Sequence, residues 1–155
     1  MKKNGVKSDT NVFKSAVDNT VELKDGYCKG LQALKGNSLK VSVSKQQHLL
    51  GSVDIDNCTK GLYPNASRWD YAIGYDQKAW FVEVHPANTS NVKEMLKKVE
   101  WLESWLKDKG CNLLKSGAII CIIGFHPARY AYQRLHRSIG VWQSISFRLR
   151  PLLSS

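Results

Sequence analysis

Apolar residues recur at intervals of three and four from about Asn11 to Lys35, where Phe13, Ala16, Thr20, Leu23, Tyr27, Leu31 and Leu34 fall on one helical face. That spacing predicts a helix, with a break near Gly26. Gly36-Asn37-Ser38 ends it, and Leu39-Lys40-Val41-Ser42-Val43 alternates with the period of a half-buried strand. A second strand is expected over about Leu49 to Ile55, followed by a polar loop from Asp56 to Ser67. Trp69 to Tyr75 and Ala79 to Val84 are two aromatic and β-branched runs separated by Asp76-Gln77-Lys78, which is the layout of a hairpin. Next, Asn91 and Glu94 have the spacing of a helix cap. Val92, Leu96, Val99, Leu102 and Leu106 form an apolar stripe, and Lys107, Lys109 and Gly110 form the stop. Ala118 to Ile123 is continuously apolar, as in a central strand covered on both faces. After Pro127, residues 128–138 read as a helix and Val141 to Leu149 as a last strand.

The strand, helix, strand order between 79 and 124 implies a right-handed crossover and parallel pairing. The full order is that of an α/β or α+β protein built on a mixed sheet flanked by helices. With 155 residues, 43% of them hydrophobic, the chain is expected to form one core, a single domain over 1–155. The run Gly117 to Phe125 is less than half of the roughly 20 residues that cross a bilayer, so no membrane partner is expected. Cysteines 28, 58, 111 and 121 show no metal-finger spacing and are read as reduced thiols, which points to a cytoplasmic setting.

Charge narrows the class of partner. There are 23 basic and 13 acidic side chains, a net charge of +10. Residues 1–48 carry nine Lys against four acids, residues 49–115 balance nine with nine, and residues 116–155 carry five Arg and no acid. Arginine pairs with phosphate through its fork and stacks on aromatics. Arg129, Arg134, Arg137, Arg148 and Arg150 in the basic segment 126–155, set among Tyr130, Tyr132 and Trp142, therefore make nucleic acid the expected partner. A homodimer or a place in a larger complex is left open. Arg68, Lys93 and Lys97 are further candidate contacts.

The chemistry concentrates in the hairpin. Residues two apart on a strand share a face, so Glu83 projects with Phe81 and His85 while Val82 and Val84 face away. If the register sets Asp70 beside Glu83, two carboxylates converge on one hard divalent cation. The alternatives are structural. Asp70 can bond strand-end amides, Glu83 can pair with Arg68 or Lys78, and His85 can close a strand before Pro86. Trp101 and Trp105 suit a core better than a base-stacking platform.

Arg68-Trp69-Asp70-Tyr71-Ala72-Ile73 followed by Trp80-Phe81-Val82-Glu83-Val84-His85, within this element order, resembles the PD-(D/E)XK nuclease superfamily. The resemblance implies a restriction-endonuclease-like mixed sheet and metal-dependent hydrolysis of DNA or RNA. Asp70 and Glu83 would hold Mg²⁺ or Mn²⁺, and Glu22, on the first helix, would assist. The usual lysine is replaced by His85, which can serve as a base, a phosphate contact or a ligand near neutral pH, or can mark a nuclease-like module that binds nucleic acid without cleaving it. Lys93 and Lys97 on the following helix are candidates for a migrated ammonium.

Overall fold

The structure is a computed structural model and describes residues 10–84 and 92–123. Among the described residues, eight α-helices and strands form around one sheet, in the order α1 (Val12–Asp18), β1 (Leu49–Asp54), α2 (Ile55–Thr59), β2 (Tyr71–Tyr75), β3 (Lys78–Val84), α3 (Val92–Asp108), α4 (Cys111–Lys115) and β4 (Ala118–Ile123). The strands lie side by side in chain order. β1–β2 and β2–β3 are antiparallel and β3–β4 is parallel, giving a mixed four-stranded sheet with helices against it. The turn from β2 to β3 is made by Asp76 and Gln77, both at positive φ (51° and 62°), the twist a two-residue hairpin needs.

Alternation along each strand divides the core into two layers. Val53, Ala72, Ala79, Phe81 and Ala118 face the helices, where Phe13 and Val17 of α1 and Met95, Val99, Leu102 and Leu106 of α3 pack on them. Ile73, Tyr75, Trp80, Val82 and Ile119 face the other way, under Ala33, Leu34 and Val41. α1 is seated by a close approach: a Cβ on Gly74 would stand 2.3 Å from Phe13 Cγ, so only glycine lets the ring lie on the strand. Asn11 caps this helix by accepting from the Lys14 amide at 2.9 Å.

Three expectations from the sequence need correction. The first helix ends at Asp18, and the chain continues through a series of tight turns over Val21–Leu23 and Gln32–Lys40 with Asp25, Gly30 and Lys35 at positive φ. Its apolar residues satisfied helical spacing, yet they serve opposite faces of the sheet: Phe13, Ala16 and Leu23 join the helix-side layer, while Leu31 and Leu34 join the other. Residues 39–43 are not a strand. Val41 is buried but Leu39 is 87% exposed, and residues 41–43 enter no ladder. The loop after β1 begins with α2, capped by Asp54, whose carboxylate accepts from the Asn57 amide at 2.8 Å. The Asn91 cap, the helix over 128–138 and the strand over 141–149 lie outside the described residues.

Candidate active site

Hairpin register creates the site. Tyr71 stands opposite Val82, so one further step brings Asp70 opposite Glu83 at the end of the sheet. Two backbone bonds lock the arrangement. The Asp70 amide donates to Glu83 Oε2 at 3.2 Å, and the Val84 amide donates to Asp70 Oδ2 at 3.1 Å. The Asp70 carbonyl in turn accepts from the amides of Ile55 and Asp56 at 2.9 and 3.2 Å, which docks the start of α2 on the same residue. The second oxygens of both carboxylates turn toward α3. There Lys98 Nζ donates to Asp70 Oδ1 at 3.1 Å and makes a shorter contact with Glu83 Oε1.

Burial grades the three groups. The Glu83 side chain is 1% exposed, whereas Asp70 and Lys98 retain 22% and 24%, so the centre opens to solvent along their side. Burial, followed by the charge of Asp70, pushes the Glu83 carboxyl up to about 8. Lys98 pulls it back only in part. Burial alone would lower the Lys98 ammonium, but the charges and hydrogen bonds of Glu83 and Asp70 outweigh it and hold its pKa above the ordinary 10.5. The result is two convergent carboxylates sharing one ammonium. Removing Lys98 would leave two neighbouring carboxylates without a counter-charge.

Lys98 was not among the residues singled out from the sequence, although helical phase identifies it. At roughly 100° per residue, Lys98 lies about 60° from Met95, between Leu102 at about 20° and Trp105 at about 80°. It therefore sits within the buried face. Lys93 and Lys97 lie about 160° from Met95, and both are exposed, with Lys97 paired to Glu94 at 3.1 Å. Arg68 is taken up inside its own loop, where it bonds Asp56 at 2.8 Å and the carbonyls of Tyr63 and Pro64. The charge beside Glu83 is thus Lys98, from the helix that comes after the hairpin.

Glu22 stands on the turn Val21–Leu23 and accepts from Tyr63 Oη at 2.8 Å and from Trp105 Nε1 at 2.7 Å. Desolvation, reinforced by Glu22, pushes the Tyr63 phenol up to about 12. These bonds fix an aromatic cluster in which Trp101 meets Tyr63 edge-on and stacks on Trp105, each at 5.7 Å between ring centroids. His85 and the arginines 129, 134, 137, 148 and 150 lie outside the described residues. Among the described residues no group of three or more His, Cys, Asp or Glu gathers at one point, and no helix is long and apolar enough to cross a membrane.

Comparison of the chain with protein-family models, with curated proteins and with solved structures returns no match.

Proposed function

We propose that this protein is a metal-dependent phosphodiesterase of PD-(D/E)XK type that hydrolyses DNA or RNA, with Asp70 and Glu83 as holders of Mg²⁺ or Mn²⁺. The observation that carries the reading is that Asp70 Oδ1 and Glu83 Oε1, from opposite sides of a hairpin, address the same cationic atom. Two hard oxygens at one point suit a divalent cation, with water or substrate oxygens completing its shell. The raised Glu83 pKa fits as well, because a carboxyl kept protonated by burial and a neighbouring charge gains from a doubly charged partner. When bound, such a cation would polarise a phosphoryl oxygen and lower the pKa of an attacking water.

The chain's own groups do the rest. The amides of Asp70 and Val84 hold each carboxylate in a fixed orientation, so the ligands are organised before anything binds. Lys98 supplies the ammonium that the motif lacks at His85, and it comes from the buried side of α3. The net charge of +10 draws the polyanionic substrate.

A second reading rests on Lys98 as well. Its ammonium already neutralises much of the pair, so the fold needs no metal, as a nucleic-acid-binding module without activity or a basic subunit of a larger assembly would not. Incubation with single-stranded DNA, duplex DNA and RNA, with and without Mn²⁺, separates the two. The nuclease reading expects Mn²⁺-dependent cleavage that disappears in Asp70→Ala/Glu83→Ala. Salt-sensitive binding without cleavage, unchanged in that variant, would leave the module.

A further inference from the structure

We infer that Lys98 is the metal-free occupant of the cation position, so that a divalent ion can enter between Asp70 and Glu83 only when the Lys98 side chain leaves. This inference rests on the reading of the pair as a divalent-cation site. Nζ bonds one oxygen of each carboxylate, the same two oxygens that a cation would need. With both carboxylates ionised, as cation binding requires, one ammonium leaves a net single negative charge. A divalent ion alone would bring the point to neutrality, and both cations together would make it positive in a partly buried place, where like charges repel strongly.

The side chain has the means to leave. Lysine carries its charge on a flexible four-carbon stem and hydrates strongly, and Lys98 already has 24% of its side chain in solvent. The helix that bears it has no such freedom. Met95, Val99, Leu102 and Leu106, on the turns around Lys98, are buried against the sheet. Exchange is therefore a side-chain event, and the displaced ammonium stays tethered within its own reach of the site. Lys98 would set the metal concentration at which the centre loads, while keeping the carboxylates compensated when metal is scarce.

The test measures Mn²⁺ affinity, by the electron paramagnetic resonance of free Mn²⁺, together with melting temperature, on the full chain. If the ammonium is off the carboxylates in a tenth or fewer of the metal-free molecules, Lys98→Met should bind Mn²⁺ ~10-fold tighter or more than wild type. The same variant should melt lower without metal and recover with it. Lys98→Arg, whose fork can engage both carboxylates, should bind Mn²⁺ more weakly than wild type. Equal or weaker binding by Lys98→Met overturns the inference. So does a Lys98→Met protein that Mn²⁺ does not restore, or the absence of Mn²⁺ binding from both proteins. Cleavage of nucleic acid is read in a separate assay on the same proteins. Exchange without hydrolysis of any nucleic acid would end the phosphodiesterase reading alone, whereas Mn²⁺-dependent cleavage with unchanged affinity in Lys98→Met would end the exchange alone.

Discussion

Replacing Glu83 with Gln probes the electrostatics of the centre through its pH dependence. Unfolded, this carboxyl titrates near 4.5. Folded, it keeps its proton until about 8 because it is buried and faces Asp70. Across that window the native state binds more protons than the unfolded state, so the stability of the metal-free protein falls as pH rises. Lys98, held above its ordinary 10.5, stays charged throughout and adds nothing to the slope. At about 1.4 kcal/mol per pH unit over the roughly 2.5 units from 4.5 to 7, the accumulated loss is about 3 kcal/mol. Gln copies the shape without the titration. Glu83→Gln should match wild type near pH 5 and exceed it by about 3 kcal/mol near pH 7, read by urea unfolding followed through tryptophan fluorescence in the presence of chelator. Parallel curves, or a less stable variant at pH 7, would mean that Glu83 is ionised against Lys98 in the fold, and would refute the reasoning. Mn²⁺ should flatten the wild-type slope and leave the variant's unchanged, because a bound cation favours the carboxylate form.

Two further substitutions test how the site is supported. Gly74→Ala should cost about 1–3 kcal/mol, because the new methyl would stand 2.3 Å from Phe13 Cγ. Pairing it with Phe13→Leu should recover part of that loss in a denaturation double-mutant cycle. Glu22→Gln keeps one acceptor oxygen for two donors, Tyr63 Oη and Trp105 Nε1, and should lower stability by about 1–3 kcal/mol. A change in the near-ultraviolet circular dichroism of the Trp101–Trp105 stack should accompany it, and an unaltered spectrum with unaltered stability would dismiss the anchoring role.

The hairpin, α3 and β4 were legible in the sequence because each is a single run with one pattern: two aromatic and β-branched segments around a turn, one helical stripe, and one unbroken apolar stretch. Val92, Val99, Leu102 and Leu106 repeat as a helix should, and the Asp76-Gln77 turn falls where the aromatic runs stop. The N-terminal third was not, because spacing of three and four records only that residues are buried and not on which side. Phe13 and Leu34 obey one pattern, yet they contact opposite faces of the sheet, a division that requires tertiary structure to see. Asp70 and Glu83 could be paired from the hairpin register alone. Lys98 was overlooked for the opposite reason: a lysine on a helix is read as solvated, and only its phase between Leu102 and Trp105 marks it as inward. The aromatic anchoring of Glu22 depends on Tyr63 and Trp105, 41 and 83 positions away, which no local pattern encodes.

Asp70 and Lys98 are only 28 positions apart in the chain, with Glu83 between them. The centre therefore closes over short spans, and bringing its members together costs little loop entropy. Residues 10–50 lend walls and not reactive groups, so substitutions there would alter how firmly the scaffold stands more than what its charges do. During synthesis the two acidic members emerge first and the ammonium last, so the nascent hairpin acquires its counter-charge from the very next helix, without waiting for an ion from the cell.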